Sequence, residues 1–210
     1  MEKTDREPTV FVVDDDEAFR RSVQWLLASV NLKAALCASA QEFLRAVRPG
    51  QIGCLVTDVR MPGVSGLDLQ RMMAEREIHL PVIVMTAHGD VDMAVRAMKE
   101  GAMDFLQKPF NDQVFLDLVQ KAIGDSVRAE HDRRRQAALR RRLEQLTPRE
   151  RQVLELVVEG KTNRAIADTF AISEKTVEAH RARVMDKTGA KSLAELMKLV
   201  LALDLHQGKP

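Results

Sequence analysis

Through residues 1–123, short apolar runs alternate with amphipathic stretches. The runs are Thr9–Val13, Lys33–Leu36, Ile52–Thr57, Pro81–Met85 and Asp104–Gln107. They are nearly continuous rather than alternating in polarity, the pattern of strands covered on both faces of a parallel sheet. Between them apolar residues return at helical spacing. Phe19, Val23, Leu26, Leu27 and Val30 share one face of a predicted helix over Glu17–Val30, with Asn31 at its end. A second helix opens at Ser39 and closes near Pro49-Gly50, and a third, after Gly63, carries Leu67, Leu69, Met72 and Met73. A fourth runs from about Asp90 to Glu100 and stops at Gly101, and a fifth from about Asp112 to Ile123. Five strands alternating with five helices predict a doubly wound, five-stranded parallel sheet.

The pattern then changes. Residues 124–145 hold no proline, and Leu139, Leu143 and Leu146 keep helical spacing, which predicts a linker helix continuing the fifth one. Its clusters Arg133-Arg134-Arg135 and Arg140-Arg141-Arg142 suit either a solvated face or contact with nucleic-acid phosphates. Thr147-Pro148-Arg149-Glu150 combines a cap, a proline at the first helical position and a capping-box glutamate, opening a helix that runs to Gly160. A second short helix starts at Thr162 or Asn163 and ends at Phe170, and Ala171-Ile172-Ser173 breaks the chain. A third spans Glu174 to about Thr188 before Gly189, and a fourth spans Ser192 to about Leu203. Two short helices around a three-residue turn, inside an all-α four-helix unit, follow helix-turn-helix grammar. The expected organisation is therefore a domain over 1–123, a linker helix over 124–145 and a helix-turn-helix domain over 146–210.

Charge sharpens the division. Residues 1–123 carry a net −4, residues 124–145 a net +3 and residues 146–210 a net +2 within an overall +1. An acidic front and a basic rear predict different partners for the two halves. No apolar run reaches bilayer length and the first eight residues are charged, so the expectation is a cytoplasmic protein with no membrane partner. Cys37 and Cys54 lie in strand-like context without redox or metal spacing and read as buried thiols. His79, His88, His131, His180 and His206 form no ligand spacing.

Four runs end in polar groups: Asp14-Asp15, Asp58, Thr86 and Lys108-Pro109. In an open α/β sheet ligands bind beyond the carboxyl ends of the strands. Three carboxylates, a hydroxyl and an ammonium at one edge predict a site for a divalent metal and a phosphoryl group. In the rear half the third helix carries Lys175, Thr176, Glu178, Arg181 and Arg183 beside Ala179 and Ala182, a surface suited to a major groove.

These residues resemble a known family. Val12-Val13-Asp14-Asp15, Asp58 with Met61-Pro62-Gly63, Thr86-Ala87 and Lys108-Pro109-Phe110 are similar to the receiver domain of two-component response regulators. Leu146 to Arg151, Asn163 with Ile166-Ala167, and Thr176 to His180 resemble the LuxR-type helix-turn-helix. With Gly89-Asp90-Val91 and Gly101 to Phe105, the combination is similar to the FixJ subfamily over nearly the whole chain. The resemblance implies that Asp58 accepts a phosphoryl group from a sensor histidine kinase. It implies Mg²⁺ held by Asp14, Asp15, Asp58 and the backbone carbonyl of Arg60. Lys108 and Thr86 would contact the phosphoryl oxygens, Phe105 would turn inward as Thr86 moves, and the Lys108-Pro109 bond would be cis. Base-facing positions would be Glu178, Ala179, Arg181 and Ala182, and phosphate contacts Asn163, Lys175, Thr176 and Arg183. Phosphorylation would pair two copies on promoter DNA and activate transcription with RNA polymerase as a further partner. Leu193, Leu196, Met197, Val200 and Leu201 offer a dimer face on the last helix. Two other readings stand beside this one: a Mg²⁺-dependent phosphohydrolase using Asp58, and a constitutive DNA binder whose receiver does not switch.

Overall fold

The computed structural model describes residues 7–87 and 91–207, with side chains for all but 91 and 201–207. The expectations for His88, Gly89, Asp90 and the side chains of Val91, Leu201 and His206 lie outside these residues. The chain forms two compact units, residues 1–130 and 131–210.

The first unit alternates β1 (Thr9–Val13), α1 (Glu17–Ser29), β2 (Lys33–Cys37), α2 (Ala40–Ala46) and β3 (Gly53–Asp58). It continues with α3 (Gly66–Glu75), β4 (Val82–Thr86), α4 (Val91–Lys99), β5 (Asp104–Gln107) and the start of α5 (Asp112–Glu144). The strands pair in parallel in the order β2-β1-β3-β4-β5, as the continuous apolar runs predicted. Successive residues along each strand feed opposite faces. Phe11, Val13, Leu55, Val82 and Val84 pack under α2, α3 and α4, while Val10, Val12, Cys54, Val56, Ile83 and Met85 pack under α1 and α5. Both cysteines are buried, and burial pushes the Cys37 thiol up to about 11 and that of Cys54 to about 12. They remain protonated at neutral pH, inert packing groups.

Local sequence sets the element ends. Asp16, Ser39 and Ser65 cap α1, α2 and α3 by accepting backbone N–H groups of the first turns. Asn31 takes a left-handed φ of 58° just beyond α1, consistent with its reading as a stop. Strands β3 and β4 extend one residue further than the apolar runs, so Asp58 and Thr86 are themselves terminal strand residues. The backbone bond from Val59 N–H to Met85 O (2.9 Å) carries the β3–β4 ladder through this point.

The fifth helix runs on into the linker segment as its spacing predicted: it is a single element of 33 residues, and the two compact units divide within it, at Glu130. Buried Ser126 receives the Gly53 N–H on its hydroxyl at 3.1 Å, so α5 stays on the first unit beyond Ile123.

The second unit joins the end of α5 to α6 (Pro148–Val158), α7 (Asn163–Phe170), α8 (Glu174–Thr188) and α9 (Leu193–Gln207). Its core gathers Leu146, Val153, Leu154, Val157, Ile166, Val177, Val184 and Leu196. The Thr147–Glu150 capping box forms as the sequence predicted. Glu150 also accepts from Lys187 of α8 at 2.6 Å, linking the start of α6 to α8. That ammonium and the Thr147 N–H hold the Glu150 carboxyl down at about 2. Ala171 adopts a left-handed φ of 51° in the turn between α7 and α8. Leu196 is buried in the core rather than free for a dimer face, while Leu193 stays 40% exposed. Of the Arg clusters, Arg142 donates to Thr188 O at 3.2 Å and so caps the end of α8.

Candidate functional site

The sheet order reverses between β1 and β3, so the crevice beyond these two strands is the topological switch point. Asp14 follows β1 and Asp58 ends β3, which places both carboxylates there. Both are buried, at 2% and 7% exposure. Two like charges this close need a counter-charge, and Lys108, beyond β5, provides it. Its Nζ donates to Asp14 Oδ2 at 2.6 Å and to Asp58 Oδ1 at 2.9 Å. The other oxygen of each acid takes a backbone N–H: Asp16 N–H to Asp14 Oδ1 at 2.9 Å, and Arg60 N–H to Asp58 Oδ2 at 2.7 Å. Each carboxylate therefore has one oxygen fixed by backbone and one held by a movable cation.

Burial pushes the Asp14 carboxyl above its ordinary range, only partly offset by the Lys108 bond and the Asp16 N–H. Burial also works against the Lys108 ammonium, but its bonds to Asp14 and Asp58 prevail and hold it above the usual lysine value. At neutral pH it stays charged. The backbone on both sides is tied down: Lys108 N–H donates to Thr86 O at 2.8 Å, and Arg20 Nη1 to Asp14 O at 2.6 Å. The Lys108-Pro109 bond is cis, as the resemblance implied. Thr86 is buried at the end of β4, and Phe105 lies half-buried on β5 against the α2–α4 face of the core.

Asp15 stands apart. It is exposed, and with Arg60, Met61, Pro62, Asp92 and Arg96 it lines a cleft of about 690 Å³ beside the acid pair. Among the described residues no three His, Cys, Asp or Glu side chains converge as a ready metal cage. The donor set is nonetheless one of hard oxygens, and the Lys108 ammonium already holds the place of a cation between Asp14 and Asp58. Carboxylates plus a backbone carbonyl fit a small divalent ion that keeps several waters.

In the second unit Lys175, Thr176, Glu178 and Arg183 are exposed along α8, as the sequence predicted, and Ala179 and Ala182 are exposed beside them. Arg181 is not: it is half-buried, and its Nη1 donates to Asn163 Oδ1 of α7 at 2.7 Å. The reason is periodicity, since Val177, Arg181, Val184 and Thr188 share the inward stripe of α8. The Thr176 hydroxyl lies 2.8 Å from the capping hydroxyl of Ser173.

Three residues at the pocket escaped the sequence reading. Arg20 ties down Asp14, Gly66 packs against Asp58, and Phe19 places its ring 3.8 Å from Lys108 Nζ. Only Gly66 left a legible signal, as a residue lacking a side chain where the first turn of α3 meets the end of a buried strand.

A switch-point pocket of two acids and a lysine, followed by a helix-turn-helix unit, defines the class of two-component DNA-binding response regulators. Comparison with known proteins agrees. Residues 10–120 match the response regulator receiver domain, and residues 144–200 match the luxR family of bacterial regulatory proteins. The transcriptional regulatory protein FixJ of Azorhizobium caulinodans is 47% identical over 192 residues, 91% of each chain. TdiR of Thauera aromatica is 43% identical over 97% of this chain and 90% of its own. Among solved structures, the response regulator StyR is 42% identical with a TM-score of 0.85, covering 93% of this chain and 98% of its own. Full-length FixJ from B. japonicum is 40% identical with a TM-score of 0.57, covering 95% and 98%. The chain belongs to the FixJ-like response regulators, with a receiver domain joined to a LuxR-type DNA-binding domain.

Proposed function

We propose that Asp58 accepts a phosphoryl group from a histidine kinase and that this modification pairs two copies of the chain on promoter DNA. The observation that carries the reading is Lys108 Nζ shared between Asp14 and Asp58 at the switch point, 2.6 and 2.9 Å away. In the transfer an Asp58 oxygen bonds to phosphorus as the phosphorus–nitrogen bond of the phosphohistidine breaks. The imidazole leaves and takes a proton on its freed nitrogen. Such a reaction asks the protein for position and charge more than for covalent chemistry. Lys108 serves both needs, because its flexible stem lets the ammonium follow negative charge from carboxylate to phosphoryl oxygen. Asp14, Asp15, Asp58 and the Arg60 carbonyl would hold Mg²⁺, which when bound neutralises charge on the acids and the phosphoryl group. The Thr86 hydroxyl would contact a phosphoryl oxygen, and Phe105 would follow the Thr86 loop.

The exposed face of α8 would enter the major groove, with Glu178, Ala179 and Ala182 toward base edges and Lys175, Thr176 and Arg183 on phosphates. Asn163 would contact phosphate while orienting Arg181 at the rim. The relatives are named as regulators of transcription, which favours signalling over turnover as the use of the aspartyl-phosphate chemistry. Work in the cytoplasm, activation of transcription and contact with RNA polymerase complete the reading.

The test compares wild type and Asp58→Asn with and without beryllofluoride and Mg²⁺, measuring mass in solution and affinity for promoter DNA. The expected result is dimerisation and tighter binding of wild type alone. Equal mass and affinity in all four samples would overturn the proposal.

A further inference from the structure

Lys108 has a third partner besides the two acids. Its Nζ lies 3.8 Å from the centroid of the Phe19 ring, on the first turns of α1. The ring is itself held: Phe19 meets Phe110 edge-on at 6.1 Å, and Phe110 stacks on buried Phe115 of α5 at 5.2 Å. A chain of three aromatic rings thus runs from the α1–α5 face of the core to the ammonium in the phosphoryl pocket. Phe19 sits on the core stripe of α1 with Val23 and Leu27, so helix packing accounts for an apolar residue there. It does not account for the ammonium over the ring face. Phe110 follows the Lys108-Pro109 bond directly, so the segment that carries the lysine also carries the ring that steadies Phe19.

We infer that Phe19 is a positioning residue for phosphoryl transfer, its ring face fixing where the Lys108 ammonium stands. The negative face of an aromatic ring attracts a cation, and more strongly where water is scarce. The lysine side chain is only 17% exposed. Its two carboxylate bonds are the stronger contacts, but both acids change charge or partner when a phosphoryl group arrives, whereas the ring does not. Phe19 is therefore the constant contact as the ammonium moves from acid to phosphoryl oxygen. Without it the four-carbon stem spreads the charge over more positions, and fewer encounters with a donor find the cation in place.

The inference rests on the reading of Asp58 and Lys108 given above, and its test separates the two. Full-length protein is prepared with mono-, di- and trifluorophenylalanine at position 19, which weakens the ring's attraction for a cation while nearly preserving its size. Phe19→Leu and Phe19→Tyr accompany the series. Phosphorylation by phosphoramidate with Mg²⁺ is followed by intact mass, and urea midpoints report folding. The rate is expected to fall stepwise with fluorination, by about threefold to thirtyfold across the series. Phe19→Tyr should hold near wild type, and urea midpoints should move little among the fluorinated proteins. In a Lys108→Met background, itself slow, fluorination should have no further effect. A rate flat across the fluorinated series, with Lys108→Met slow, leaves the Asp58 reading in place and overturns the role of Phe19. Wild-type labelling of Asp58→Asn overturns the underlying reading instead.

Discussion

At the scale of single residues, the pocket depends on a contact that no periodicity reveals. Gly66, the first residue of α3, lies so close to Asp58 that an added Cβ would stand 2.2 Å from the Asp58 carbonyl oxygen and 3.1 Å from Thr57 Cγ2. Its N–H also donates to Val59 O at 3.1 Å, closing the turn that follows β3. The tightest contact of a methyl group there is with backbone, which must move and carry the Asp58 carboxylate with it. Overpacking of this kind costs about 1–3 kcal/mol. Gly66→Ala is therefore expected to lower stability by about 2 kcal/mol in urea unfolding, and a displaced nucleophile should slow phosphoramidate labelling about tenfold or more. Wild-type labelling by a destabilised Gly66→Ala protein would show that Asp58 tolerates the shift, contrary to this expectation.

At the scale of elements, the Glu150 carboxylate joins two roles that sequence and structure divide between them. It closes the capping box of α6 through the Thr147 N–H at 2.9 Å, and it holds Lys187 of α8 at 2.6 Å. With its folded value near 2 against an ordinary 4.5, Glu150 stabilises the fold fully above about pH 4.5, and that contribution is lost as pH falls toward 2. The urea midpoint of wild type should thus drop more between pH 5 and pH 3 than that of Glu150→Gln, which has no charge to lose. Parallel pH curves for the two proteins would remove the carboxylate from the account. At neutral pH Glu150→Ala should cost about 1–2 kcal/mol through the lost cap and ion pair. The capping box was legible in the sequence because its residues are three apart; the Lys187 bond was not, because its partners lie 37 apart. The same distinction runs through the molecule. Strand ends carrying Asp14, Asp58, Thr86 and Lys108 could be read from local contrast between apolar runs and polar stops. The sharing of one ammonium between acids 94 and 50 residues away could not. The continuation of α5 past Gly124 could be read from its helical spacing, whereas the Gly53–Ser126 bond that holds the helix to the sheet, with partners 73 residues apart, could not. Arg181 was readable and misread: its charge suggested solvent, while its place on the Val177–Val184 stripe put it inward.

At the scale of the whole chain, two compact units share one helix, and phosphorylation must be translated into DNA affinity between them. Two mechanisms give different numbers. If the phosphorylated receiver acts by pairing, each DNA-binding unit keeps its intrinsic affinity, and the gain comes from the raised effective concentration of the second unit at a neighbouring half-site. If it acts on the DNA-binding unit of its own chain, the gain appears on a single half-site as well. The exposed face of α8 presents Lys175, Thr176, Glu178 and Arg183, and Asn163 fixes Arg181 beside them. If this face reads DNA as proposed above, a surface preorganised in this way has little left to gain within one chain, which favours pairing. Beryllofluoride should therefore change affinity for a probe with one half-site by less than about threefold, while raising it about 10²-fold or more on a probe with two. Moving the half-sites apart by about five base pairs places them on opposite faces of the duplex and should abolish most of that gain. Fluorescence anisotropy with the three probes decides the matter. An equal gain on one and two half-sites would mean that phosphorylation acts inside the single chain, with pairing secondary.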